Sequence, residues 1–270
     1  QPVYAYVPLA SNDGALVCQY QMTTLEELGL LKMDFLGLRN LTVLEDAARR
    51  VRRRVPDFQV ERIPLDDKKT FDMLAAGRTV GVFQLESAGI TAVCMGLRPR
   101  SIEDITAVIA LYRPGPMESI PRFLACSAHP ERITYQHPLL EPILAVTYGC
   151  IVYQEQVIEI FRQLAGFSLG QADMIRRAMS KKKEAVITAE RAAFVHGDPA
   201  RSIPGAVARG VPEQTANAIY DEILAFASYA FNKAHAVSYA IVSYRTAYMK
   251  RNYPHEYMAA LLTSVLDNTP

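Results

Sequence analysis

Three stretches of the 270-residue chain bring together side chains able to handle phosphate or metal. In the first, Lys32-Met33-Asp34-Phe35-Leu36-Gly37, a cation and a carboxylate alternate with apolar residues on a run that reads as extended. With a period of two, Lys32, Asp34 and Leu36 share one face and Met33 and Phe35 take the other. Charges on a half-buried strand must be paired, hydrated or bound to a metal, because isolated buried charge is expensive. Spacing alone fits an exposed ion pair at a sheet edge as well as a metal or phosphate site.

The second stretch, Arg176-Arg177-Ala178-Met179-Ser180-Lys181-Lys182-Lys183, carries five cations in eight residues behind a capped helix start. On a helix Arg176, Ser180 and Lys183 lie along one stripe, and Arg177 and Lys181 along the next. Like charges so spaced repel by roughly a few tenths of a kcal/mol per pair unless an anion bridges them. Arginine forks and lysine point charges suit phosphate oxygens. A solvated face whose charge Glu184 and Glu190 begin to compensate accounts for the same residues. The third stretch, Tyr229-Ala230-Phe231-Asn232-Lys233-Ala234-His235-Ala236, joins two apolar helices, with Asn232 and His235 placed to cap the second and Lys233 presented at the junction. Two further clusters, Tyr112-Arg113-Pro114-Gly115-Pro116-Met117 and Val152-Tyr153-Gln154-Glu155-Gln156, join turn residues to hydrogen-bonding side chains, as ligand-presenting loops and structural turns both do.

The elements that must position these groups change along the chain. Residues 2–9 and 15–20 are rich in Val and Tyr and flank Ser11-Asn12-Asp13-Gly14, which predicts a β-hairpin. A second extended run covers 30–36. A helix over 40–54 ends in Arg49, Arg50, Arg52, Arg53 and Arg54, a solvated end favoured by the helix dipole, before Pro56 stops it. From about residue 66 the signals are helical. Asp66 or Asp67 caps a helix that runs to Ala76, 79–85 reads as one short strand, and Ser87 starts a further helix. Ser101 with Asp104 forms a capping box ahead of an apolar run. Helices are expected over 153–165, from 169 to about 195 behind a Ser168/Gln171 cap, and near 213–229, 235–251 and 254–266, with an irregular connection at 197–212. The fold class is mainly α with a small α+β N-terminal part.

Composition narrows the function classes without choosing one. Half of the residues are apolar and 21% are charged, which excludes a disordered tail, a collagen-like chain and a disulfide scaffold. The 29 Lys and Arg nearly cancel the 28 Asp and Glu, so any polyanionic partner must be recognised by local patches. Cys18, Cys94, Cys126 and Cys150 lie far apart, as small buried thiols of a cytoplasmic protein do. No signal peptide is visible, and every apolar run is broken well short of the roughly 18 residues of a spanning helix. A chain that opens on Gln1 reads as part of something longer.

The order of the motifs is more specific than any one of them. KMDFLGLRNLTVL at 32–44, GVFQLES at 81–87, YRPGPM at 112–117, YGCIVYQEQV at 148–157, LAGFSLGQAD at 164–173, RRAMSKKK at 176–183, FNKAHAVSYAIVSYRTAYMK at 231–250 and YPHEYMAALL at 253–262 closely resemble the α subunits of bacterial DNA polymerase III, the C-family replicative polymerases. The resemblance covers essentially the whole chain. It implies that residues 1–60 end a palm and 61–270 form a fingers domain that binds an incoming dNTP. Family palms hold three aspartates that bind two Mg²⁺ ions. The third matches Asp34, with Lys32 beside the phosphates, and the other two are expected upstream of Gln1. Two cations stabilise the entering and leaving oxygens of an in-line attack on the α-phosphate, and carboxylates hold them. Arg176, Arg177, Lys181, Lys182 and Lys183, with Arg113, are implied neutralisers of the triphosphate. Asn232, Lys233 and His235 match a motif that lines the nucleotide pocket, where the His235 position is associated with exclusion of the ribose 2′-hydroxyl. The family commonly has Ser where Ala234 stands, and a methyl group makes no hydrogen bond. Implied partners are primer-template DNA, dNTP and other replicase subunits such as the sliding clamp, without a membrane. Two other readings use the same residues: a non-catalytic nucleotide- or DNA-binding or scaffold module, and the fingers of an error-prone C-family polymerase.

Overall fold

The computed structural model describes residues 2–31, 33, 37–113, 116–180, 184–227 and 231–266, without the side chains of 179, 180, 184–188 and 227. The chain divides between Arg39 and Asn40 into two compact units. In the first, β1 (Leu9–Asn12) pairs antiparallel with β2 (Ala15–Cys18), from Leu9 opposite Cys18 to Asn12 opposite Ala15. Asp13 and Gly14 between them have φ of 50° and 81°, the left-handed pair that a two-residue hairpin turn requires. The pairing is shorter than expected, because residues 3–5 coil into a 3₁₀ turn in which the Tyr6 amide donates to Val3 O. The short helix α1 (Met22–Glu27) follows.

The second unit is helical. Its helices are α2 (Arg39–Val51), α3 (Lys68–Ala75), α4 (Ala88–Leu97), α5 (Ile102–Leu111), α6 (Ile120–Ala128), α7 (Glu141–Leu144), α8 (Gln154–Ala165), α9 (Leu169–Ser180), α10 (Glu184–His196), α11 (Glu213–Ala227), α12 (Lys233–Asn252) and α13 (Pro254–Thr263). Beyond its acidic first turn helix α5 is apolar but for Thr106, and it is buried from Asp104 to Leu111. A helix without a polar face must lie inside a core, and α5 packs along α12. The capping box forms as expected: Ser101 Oγ accepts from the Asp104 amide at 3.2 Å, and Asp104 accepts from the Ser101 amide at 3.1 Å.

The apolar residues collect in two clusters. One is built from α2 to α6 with α12 and α13, the other from α7 to α11. The second is thus inserted in sequence between two parts of the first. Residues 150–152 run between them with strand alternation: Cys150 and Val152 belong to the first cluster and Ile151 to the second.

Two expectations require correction. Residues 79–85 form no strand. Gly81 and Gln84 have φ of 71° and 63°, and the chain makes successive turns in which Val82 N bonds Thr79 O and Leu85 N bonds Val82 O. Among the described residues no neighbouring strand meets its polar backbone. Instead Thr246 Oγ accepts from the Phe83 amide at 3.1 Å, Tyr257 Oη donates to Gly81 O at 2.6 Å, and Lys250 donates to Arg78 O and Val80 O at 2.8 and 2.7 Å. Nor do residues 169–195 form one rod. Gln171 Nε2 donates to Arg201 O at 3.1 Å while the Arg201 guanidinium reaches Glu190 at 2.6 Å. A straight helix would hold residues nineteen apart at about 28 Å, too far for one arginine to meet both. Helices α9 and α10 therefore fold back on each other.

Candidate functional site

A cavity of about 540 Å³ opens on the first cluster, lined among others by Gln84, Tyr112, Arg113, Phe231, His235 and Tyr239. Each wall has a local cause. Arg113 follows the C-terminus of α5, where Tyr112 ends the helix. Gln84 takes its left-handed conformation in the double turn. Phe231 precedes α12, whose first two turns carry His235 and Tyr239.

The cavity offers aromatic faces under a cation. The Arg113 guanidinium carbon lies 4.5 Å from the centroid of Phe231. His235 meets Phe231 edge-on at 5.4 Å and lies 4.2 Å from Tyr239, whose ring is 5.4 Å from Phe83. A planar cation on a ring face keeps donors free for an anion, and exposed flat rings suit a sugar or base.

The N-terminus of α12 is fixed by partners from another lobe. Asn232 Oδ1 caps it, accepting from the His235 amide at 2.8 Å. His235 is not a cap but a first-turn residue, because the helix starts at Lys233, two residues ahead of the expected start. Glu155 of α8 accepts from the Lys233 amide at 3.0 Å and from Asn232 Nδ2 at 3.0 Å. A carboxylate at a helix N-terminus satisfies orphan amides and complements the dipole. The Lys233 ammonium reaches Glu103 at 3.3 Å and lies 5.4 Å over the Tyr153 ring. Burial pushes the Tyr153 phenol far above its ordinary range, so it stays neutral.

The extended segment bearing Tyr153 is held in turn. Phe231 and Tyr153 form a parallel bridge, with the Gln154 amide donating to Phe231 O at 2.9 Å. Buried Gln156 uses its whole amide: Oε1 accepts from Val152 and Tyr153 amides at 2.8 and 3.0 Å, while Nε2 donates to Thr147 Oγ and Ile143 O at 2.7 and 3.2 Å.

The line of polar contacts continues to α9. The Arg176 guanidinium donates to Gln154 Oε1 at 3.1 Å and to Asp173 at 2.9 Å, and Arg177 reaches the other Asp173 oxygen at 2.8 Å. The Arg176 hydrogen bond, outweighing partial burial, holds the Asp173 carboxyl below its ordinary range. This corrects part of the expected charge compensation: Asp173 supplies it for Arg176 and Arg177, whereas Glu190 is committed to Arg201; the side chain of Glu184 lies outside the described residues.

The structure thus brings Arg113 and His235 to one cavity, while Glu155 holds Asn232 and Lys233, and Gln154, bonded to Phe231 O in the cavity wall, holds Arg176. Lys32, Asp34, Lys181, Lys182 and Lys183 lie outside the described residues. Gln84, Phe231 and Tyr239 line the cavity without having been singled out one by one. Their signal was present in the GVFQLES and FNKAHAVSY stretches. Glu155 had only the hint of a polar cluster.

Residues 40–201, more than half of the chain, match the model of the bacterial DNA polymerase III alpha subunit finger domain. The chain is 47% identical over 267 residues to DNA polymerase III subunit alpha of Staphylococcus epidermidis, covering 98% of this chain and 24% of that protein. It is 49% identical over 270 residues to the subunit alpha of Thermus aquaticus, covering 97% of this chain and 22% of that protein. The chain therefore belongs to the bacterial DNA polymerase III alpha subunit family and carries its finger domain. It spans about a quarter of the length of these relatives.

Proposed function

We propose that the chain is the palm end (1–60) and fingers domain (61–270) of a cytoplasmic C-family DNA polymerase, and that the cavity under Arg113 receives the incoming dNTP. The observation that carries this reading is Arg113 over Phe231, beside His235 and Tyr239, in one cavity, with Glu155 and Gln154 linking the Phe231 segment to Lys233 and Arg176. Arg113 meets the triphosphate, aided by Arg176, Arg177, Lys181, Lys182, Lys183 and Lys233, while His235 faces the sugar. The role of Asn232 is to hold the α12 start in register. These are positioning and charge-stabilising roles, which dominate phosphoryl-type transfer. DNA primer-template is the co-substrate, and other replicase subunits such as the sliding clamp are the partners.

Among the described residues no group of three or more His, Cys, Asp and Glu could hold a metal, so the reading of Mg²⁺ rests on Asp34, with Lys32 beside it. Mg²⁺ bound there supplies charge stabilisation to the reacting oxygens.

A dNTP at about a hundred times its Kd stabilises by about 2.7 kcal/mol, which raises the melting temperature on the order of 5–10 °C. Arg113→Ala is expected to remove most of that shift in thermal unfolding of the chain. A wild-type chain without any dNTP-dependent shift refutes the site. The 270 residues alone are expected to extend no primer, and Asp34-dependent synthesis by them overturns that expectation.

A further inference from the structure

The basic run at the end of α2 takes no part in the proposed nucleotide site, and its arginines are not alike. Arg49 pairs with Asp46 at 2.9 Å, and Arg52 with Glu45 at 2.7 Å and with Phe58 O at 3.0 Å. Arg54 is tethered to Glu256 in the first turn of α13. Arg50 and Arg53 have no hydrogen-bond or ion-pair partner among the described residues. Both line a solvent-open groove of about 290 Å³ together with Arg54, His255, Glu256 and Ala259. Glu256 is the one carboxylate there: Arg54 holds its Oε1, and its buried Oε2 has no partner among the described residues. Arg50 is half-buried, so part of its hydration is lost without a carboxylate in return. The start of α13 has no side-chain cap, so its first amides add to the positive field.

We propose that this groove, between the end of α2 and the start of α13, binds the phosphodiester backbone of duplex DNA without reading its sequence. Two adjacent unpaired guanidiniums are forks matched to phosphate oxygens. An open groove admits a polyanion passing across it, where a closed pocket would select a small anion. The choice of DNA over an acidic protein segment rests on the polymerase reading above.

The test is fluorescence anisotropy of labelled DNA duplexes of two unrelated sequences, titrated with the full chain across a salt series. Each phosphate contact contributes about −0.9 to the slope of log K against log [salt]. Arg50→Gln/Arg53→Gln is expected to make the slope shallower by about 2, equally for both sequences. Arg50→Lys/Arg53→Lys keeps the charges and is expected to keep the slope, which separates charge from folding. An unchanged slope in the Gln pair overturns the proposal, as does Arg50- and Arg53-dependent binding of polyglutamate in preference to DNA. The dNTP-dependent melting shift is expected to persist in all these variants. Its absence in the wild-type chain would refute the nucleotide site, while the salt slope would still judge the groove.

Discussion

Glu155 belongs to the first turn of α8, yet its oxygens serve the first turn of α12, accepting from the Lys233 amide and the Asn232 side chain. Charge-assisted hydrogen bonds of this kind contribute about 1.5–3 kcal/mol each when buried, and less at a half-exposed site. Glu155→Ala is expected to cost about 1–2 kcal/mol in urea unfolding and to speed amide exchange at Lys233 and His235. Glu155→Gln keeps an acceptor and is expected to recover part of both. Unaltered exchange at Lys233 in the Ala variant would show that Glu155 does not hold the helix start. Asn232 was legible as a cap because it acts three residues away. Glu155 was not, because the contact spans 77 residues and leaves no local period. The same distinction separates the local pairs of Arg176 and Arg177 with Asp173, and of Arg201 with Asp198, from the second pair of Arg201, with Glu190 of α10.

At the scale of elements, helix starts with side-chain caps were the most readable part of the chain. Asp67, Ser101, Ser168 and Asn232 each cap the helix assigned to them. Asp67 also shows what a cap adds in energy. Burial pushes its carboxyl up, but hydrogen bonds from Thr70, Asn252 and backbone amides outweigh it and leave the group below its ordinary 3.8. A depressed folded value means that the stabilisation is present above about pH 4 and is lost as pH falls through that lower value. Asp67→Ala is expected to lower stability by about 1 kcal/mol near neutrality and to flatten the acid limb of stability against pH. Urea midpoints between pH 3 and 7 check this, and an acid limb as steep as the wild type's counts against it. The unreadable elements were those whose backbone is satisfied from afar. The 79–85 run has the Val and Phe content of a strand, but Thr246, Lys250 and Tyr257, more than 160 residues on, take its hydrogen bonds. The reversal between α9 and α10 was equally hidden, since both arms carry helical residues without Pro or Gly at 176–183.

Over the whole molecule, net charge says less than motif order, because cancelling totals conceal which cations lack partners. Thiol chemistry gives a check on the packing of both units. Cys18 is exposed, whereas Cys94, Cys126 and Cys150 are buried, and burial pushes the Cys94 thiol up to about 12 and Cys150 up to about 11. Only thiolate reacts readily, so an aromatic disulfide reagent is expected to titrate one thiol in the native chain and four after denaturation. Two rapidly reacting native thiols would contradict the burial. The inserted second cluster has a further consequence for how the chain finds its shape. Two of the cavity walls come from the α5 and α12 ends, which more than a hundred residues separate, a long loop to close before any contact rewards it. The lobe between them leaves and returns at the Tyr153–Phe231 bridge. Once that lobe has collapsed on its own Phe161, Phe194 and Tyr220, its two ends are already side by side, and most of the intervening chain no longer counts toward the closure. The lobe that carries Arg176 is thereby also the clasp that makes Arg113 and His235 near neighbours along the effective chain.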